Sequence, residues 1–252
     1  MKTLLALAFL SLMAATTTAQ DAVALTTARV YTNDKKETLP YRIFIPKKMP
    51  KKPVPLVIFL HGAGERGNDN KVQVVHAVRD LITYSLNNEP MIIIAPQCPK
   101  NKRWVEVDWS KLSHTMPKEP SYGMRLSLEL IEKLCKEFPI DRSRLYITGL
   151  SMGGYGTWDM IQRNPKMFAA AMPVCGGGDI AGAPLFKDLP IWVFHGDNDG
   201  IVPVARDRNM VKTLKKCGSK VKYTEYSGVG HNSWTQTYAN KDVLKWFFSQ
   251  KR

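Results

Sequence analysis

Gly149-Leu150-Ser151-Met152-Gly153 is the stretch whose reading decides the fold. A short apolar run, Arg144-Leu145-Tyr146-Ile147-Thr148, leads into it, and a stretch with helix-forming spacing, Met152 to Arg163, leads out. A strand that turns abruptly into a helix with a serine at the tip holds that hydroxyl clear of the sheet, in a strained backbone conformation. Side chains two residues before and two after would collide in so tight a turn, and glycine stands at both places, Gly149 and Gly153. Gly154 and Gly156 extend the small surface, so that the start of the helix can pack close to the sheet. The N-terminus of that helix aims its free N–H groups where negative charge would develop during attack by the serine.

Upstream, Val54-Pro55-Leu56-Val57-Ile58-Phe59-Leu60 has the composition of a strand buried on both faces. A glycine-rich loop, His61 to Gly67, follows it directly. Lys71 to Leu86 has helical spacing, with Val72, Val75, Val78, Leu81 and Ile82 able to share a face. Met91 to Ala95 reads as another buried strand, Pro96 to Pro120 as a long irregular stretch, and Met124 to Phe138 as an amphipathic helix stopped by Pro139. Ala24 to Tyr31 and Leu39 to Ile45, separated by Thr32-Asn33-Asp34, predict an antiparallel hairpin at one edge. Downstream, strands are expected at Phe168 to Val174, Pro190 to Phe194 and Val221 to Tyr226, with helices at Val204 to Cys217 and Lys241 to Gln250. Strands alternating with helices predict an α/β fold: a doubly wound, mostly parallel sheet with helices on both faces.

The chain has 252 residues, a length that fits one large α/β domain. Met1-Lys2-Thr3, an apolar run from Leu4 to Ala15 and small residues to Ala19 read as a secretory signal peptide cleaved after Ala19, too short for a membrane span. The expected organisation is therefore a signal peptide, 1–19, and a single catalytic domain, 20–252, secreted or periplasmic, with no stable membrane anchor. The net charge is +14, but long single-sign blocks and nucleic-acid motifs are absent, so the balance reads as a solvated basic surface. Four cysteines, Cys98, Cys135, Cys175 and Cys217, match no metal-binding spacing and predict no particular pairing. Cys135 reads as a core residue.

In a doubly wound sheet the loops after the strand carboxyl ends build the site. A serine hydroxyl needs a base. Of five histidines (His61, His76, His114, His195 and His231), His231 lies in a flexible Gly-x-Gly-His loop after the last strand. The base needs an acid to hold its tautomer. Asp199, after the preceding strand, is the first choice, and Asp197 the competing one. His195 opens that loop and is expected to shape it by hydrogen bonding.

At these residues the chain resembles the α/β-hydrolase family, and within it the bacterial carboxylesterases of the phospholipase/carboxylesterase and predicted-peptidase type. The resemblance rests on Leu60-His61-Gly62-Ala63-Gly64-Glu65-Arg66-Gly67, Ala95-Pro96-Gln97-Cys98, the Gly149 to Gly156 turn, His195 to Pro203, and Gly230-His231. It implies Ser151, Asp199 and His231 as nucleophile, acid and base, since the second aspartate of H-G-x-x-D-x-x-V-P is the family's acid. It also implies an oxyanion hole from the N–H groups of Met152 and Ala63, with Gly64 as the alternative to Ala63, and no metal or organic cofactor. The Trp104 to Pro120 stretch is the expected substrate-facing wall, with Trp104, Trp109 and Trp234 as candidate substrate contacts or as padding against the sheet. The function expected is an exported serine carboxylic-ester hydrolase acting on a small-molecule or polysaccharide-linked ester, such as an acetyl or feruloyl group. A serine peptidase of the same fold and a non-catalytic binding protein on this scaffold are the alternatives.

Overall fold

The computed structural model describes residues 22–109 and 111–252, so the expected signal peptide lies outside the described residues. Eight strands form one sheet in the order β1-β2-β4-β3-β5-β6-β7-β8. They are β1 (Thr27–Thr32), β2 (Thr38–Phe44), β3 (Val54–Leu60), β4 (Ile92–Pro96), β5 (Ile140–Leu150), β6 (Ala170–Val174), β7 (Trp192–Gly196) and β8 (Lys222–Tyr226). β1 and β2 make the antiparallel hairpin, β2 joins β4 antiparallel, and every other pairing is parallel. Asn33 shapes the hairpin turn, its side-chain oxygen accepting from the N–H groups of Lys35 and Glu37.

The period-two alternation of a strand splits each buried run between two cores. Leu56, Ile58 and Leu60 of β3 face one cluster, and Val57 and Phe59 face the other. The first core is covered by α2 (Tyr122–Glu137), α3 (Met152–Arg163) and α4 (Ala205–Lys216). The second is covered by α1 (Val78–Asn87), α5 (Trp234–Ala239) and α6 (Lys241–Ser249). β4 and β5 flank β3 on opposite sides, so the strand order reverses there and opens a crevice above the ends of β3 and β5.

Several expected boundaries move. The first strand starts at Thr27, because residues 22–25 are helical. The helix expected from Lys71 begins only at Val78 and is preceded by a short 3-10 turn, Val72–Val74. Gln73 is the reason: its buried amide donates to Asn70 Oδ1, which ties this segment to the preceding loop, and Ala77 then breaks the path at φ 60°. β5 runs on from Ile140, where it pairs with Val54 before a register shift. Helix α5 and the 3-10 segment Ile180–Phe186 were not expected. All four cysteines are free thiols, and Cys135 is half-buried at the edge of the core. No described helix is long and apolar enough to cross a membrane.

Candidate active site

Ser151 sits between β5 and α3 with φ 54° and ψ −119°, the strained conformation the sequence implied. Its N–H donates to Val174 O at 2.9 Å, which ties the turn to β6. A Cβ on Gly149 would overlap the Gly153 carbonyl, and one on Gly153 would overlap Leu60 O of β3. These two glycines therefore allow the turn to lie against the neighbouring strand.

The loops after β7 and β8 converge on this serine. His231 Nε2 is 2.8 Å from Ser151 Oγ, and His231 Nδ1 is 2.7 Å from Asp199 Oδ2. Asp199 Oδ1 accepts from the N–H groups of Ile201 and Val202 at 2.8 and 2.9 Å. Burial pushes the Asp199 carboxyl up, but the contact with His195 and the hydrogen bonds from His231 and those two N–H groups outweigh it and hold it well below the usual range. The Asp199 side chain is closed off from solvent, whereas His231 keeps 20% of its side chain exposed, so the imidazole is the accessible end of the line. Asp197, the competing acid, is exposed and accepts from the Gly228 N–H instead, so it braces the β8 loop.

The chain of Ser151, His231 and Asp199 is thus assembled from the ends of three different strands. Residues 43–242 match the phospholipase/carboxylesterase family. The chain belongs to that family. Among curated relatives, a bifunctional acetylxylan esterase/xylanase of Neocallimastix patriciarum is 31% identical over 88 residues, 34% of this chain and 13% of that protein. A crystal structure of a thermostable esterase matches with a TM-score of 0.84 and 41% identity, over 92% of this chain and 64% of the other. A ferulic acid esterase matches in fold, with a TM-score of 0.66 at 19% identity, over 89% of this chain and 98% of the other. The chain spans less than two thirds of the first two of these proteins.

His61 holds the His-Gly loop beside the serine. Its Nδ1 lies 2.6 Å from Gly62 O, and its Nε2 accepts from the Cys98 N–H at 2.9 Å. Those partners require a neutral ring with the proton on Nδ1, and burial pushes its pKa down to about 4. Gln97 secures the far side, accepting from the Asn70 N–H and donating to Glu65 O and Asp69 Oδ1. Ala63 opens a 3-10 turn, Ala63–Glu65, and Met152 opens α3, positions whose N–H groups have no partner within their own helix. Gly62 packs beside the serine, its Cβ position lying 3.7 Å from Ser151 Cβ.

The three tryptophans part company. Trp104 is a correction: it is fully buried, its indole N–H donates to His61 O at 3.0 Å, and its ring lies against Gly123 and Gly156. It supports the His-Gly loop from within and presents no surface to a substrate. Trp109 is half-buried, with the Arg103 guanidinium 4.3 Å from its ring and Tyr155 behind it. Trp234 is half-buried and meets His231 edge-on at 5.3 Å, with His76 on its other side.

The stretch from Lys111 to Glu119 has no regular structure but is fastened from three helical segments. Arg206 of α4 bonds to Lys111 O and His114 Nδ1, and its guanidinium lies over the Tyr155 ring. Asp179, capping the 3-10 segment, accepts from the Met116 N–H. Arg163 of α3, paired with Asp159, donates to the carbonyls of Pro117, Lys118 and Glu119. Sequence reasoning missed these fasteners, because each lies at least 44 residues from the loop it holds.

Behind the serine line, ligand-capable atoms of Cys175, Asp199 and His231 lie within 4.8 Å of one another. Both His231 nitrogens are already engaged by Ser151 and Asp199, and burial pushes the Cys175 thiol far up. A protonated thiol and a committed imidazole do not fit a metal's demand for free lone pairs, so these residues fit the serine line better than a metal centre.

Proposed function

We propose that this chain is an exported serine carboxylic-ester hydrolase working through an acyl-enzyme. The observation that carries the reading is the hydrogen-bonded line from Ser151 Oγ through His231 to Asp199 above the end of β5. Ser151 Oγ adds to the ester carbonyl while His231 Nε2 takes its proton. The carbonyl electron pair moves onto oxygen, which the N–H groups of Met152 and Ala63 stabilise. Collapse expels the alcohol, protonated by His231, and leaves the acyl group on Ser151. Water, deprotonated by His231, then repeats the sequence and releases the acid. Asp199 remains ionised and orients the imidazole throughout.

The substrate class proposed is an acetyl or feruloyl ester, small or attached to polysaccharide. The acetylxylan esterase relative and the fold shared with a ferulic acid esterase favour it. Trp234, half-buried and edge-on to His231, and Trp109, half-buried beside Arg103, are the side chains proposed to stack on an aromatic acyl group or a sugar ring. Export rests on the apolar leader up to Ala19, with residues 20–252 as one catalytic domain.

The test is a panel of aryl esters, acetylated and feruloylated oligosaccharides and peptide anilides, assayed side by side. An amide nitrogen must be protonated before it leaves, whereas a phenolate leaves readily. Catalytic efficiency on an aryl ester should therefore exceed that on the matching anilide by at least about a hundred-fold, or about 2.7 kcal/mol of barrier. An anilide cleaved as fast as its ester would turn the assignment to a peptidase.

A further inference from the structure

His195, at the end of β7, is fully buried and has only acceptors around its ring. Its Nδ1 lies 2.8 Å from Asp207 Oδ2. Its Nε2 lies 3.2 Å from Asp199 Oδ2 and 3.0 Å from Val202 O. A neutral imidazole offers one donor and one acceptor nitrogen. Whichever nitrogen lost its proton here would aim a lone pair at a carboxylate or at a carboxylate and a carbonyl together. Only the doubly protonated ring matches both sides. Asp207 is fixed in turn, its Oδ1 accepting from the Trp158 indole N–H at 3.1 Å.

We propose that His195 is a positioning residue for the reaction: an imidazolium, held by Asp207, that pins Asp199 as a carboxylate aligned on His231. The proposal rests on the assignment of Asp199 as the acid of the serine line. Asp199 Oδ2 then takes the His231 ring N–H and lies in ion-pair contact with the His195 ring, while Oδ1 takes two backbone N–H groups, so both oxygens are engaged and the carboxylate is held from rotating. Burial alone would push the His195 ring down, but its bonds to Asp199 and Asp207 outweigh that and raise it to about 10.

The surrounding groups agree with that charge. Glu225, paired with His195 across β8, is held down to about 2, chiefly by its hydrogen bond from Arg208. Burial pushes the hydroxyls of Tyr155 and Tyr223 and the thiol of Cys175 up, so they stay neutral. Arg206, also facing Asp207 and Tyr155, is a further buried cation. When His231 takes the serine proton, the Asp199 carboxylate that His195 holds in place lies 2.7 Å from its Nδ1 and favours the imidazolium of the transition state. Without a cation between them, two buried carboxylates would raise one another's pKa.

The wild-type protein gives the first test, by nitrogen NMR of histidine-labelled material with His195 assigned by its loss in His195→Gln. Both His195 ring nitrogens should stay protonated from about pH 6 to about pH 9. A ring nitrogen carrying a lone pair at neutral pH would overturn the proposal. Asp207→Asn, which keeps the shape and removes the anion, gives the second. His195 should then lose its proton near neutral pH, and turnover of nitrophenyl acetate should fall about ten-fold or more above that point, with KM unchanged and activity regained at lower pH. A loss equal at every pH, or no loss, would overturn it. The NMR result does not depend on the serine reaction, so failure of the proposed function and failure of this inference are separable.

Discussion

His61 and His195 occupy matching places and end with opposite charge. Each stands at the carboxyl end of a parallel strand, each is followed by glycine, and each is shut off from solvent. His61 has a carbonyl on one side and a backbone N–H on the other, so one nitrogen must accept and the ring stays neutral, down to about 4. His195 has carboxylates on both sides and is raised to about 10. Burial is common to both and pushes both down; the partners decide the sign. One ring shapes the loop proposed to stabilise the oxyanion, the other the acid.

The two rings bear on the reaction only if the line between those loops does the chemistry. Ser151→Ala should lower kcat on nitrophenyl acetate by on the order of a million-fold while circular dichroism stays unchanged, and should abolish labelling by a fluorophosphonate. Near-native turnover would leave both histidines bracing nothing. Next in size is the acid that His195 touches. Asp199→Asn should reduce kcat by roughly ten-thousand-fold. Asp197→Asn, which breaks only the bond to the Gly228 N–H, should do far less. The reverse ranking would detach His195 from the reaction.

The two rings also give opposite dependences of stability on pH. His61 is depressed from 6.5 to about 4, so its contribution is complete above 6.5 and is lost as pH falls through about 4. The full shift corresponds to about 3 kcal/mol. His195 is raised, so its contribution is complete below 6.5 and is lost as pH rises through about 10. Urea unfolding of His61→Gln, weaker than wild type at neutral pH, should show a flatter decline between those acid limits. A decline as steep as wild type would show that His61 carries no such penalty. The smallest expected effect is at the rim, where Trp109→Ala and Trp234→Ala should raise KM for a feruloyl ester more than for an acetyl ester, by about three- to ten-fold. Equal changes for both esters would remove stacking as their role.

The sheet was legible because its strands carry their own signals. Val54 to Leu60 is apolar throughout, and Gly149 to Gly153 forms a turn that only glycine permits. The meeting of Ser151, Asp199 and His231 was legible because each follows a strand. What escaped depended on distant partners or on weak local signals. Trp104 lies in a stretch that looks like surface loop, and its burial depends on Gly123 and Gly156 far along the chain. The break at Ala77 is marked by no glycine or proline, although its φ is positive. Helix α5 has six residues, too few for a helical period to stand out. The charge of His195 depends on Asp207, twelve residues away on the next helix.

The fastening of Lys111 to Glu119 has a consequence for how freely that segment can vary. The path of that segment is dictated from outside it, by Arg206, Asp179 and Arg163 gripping its main chain and one imidazole. Leu112, Ser113 and Thr115 are exposed, and none of those grips uses their side chains. Their identities can drift, or be drawn from a randomised library, without redrawing the path of the main chain. A library confined to those three positions therefore tests whether this segment faces substrate, while the strained serine turn and its two braced loops are left untouched.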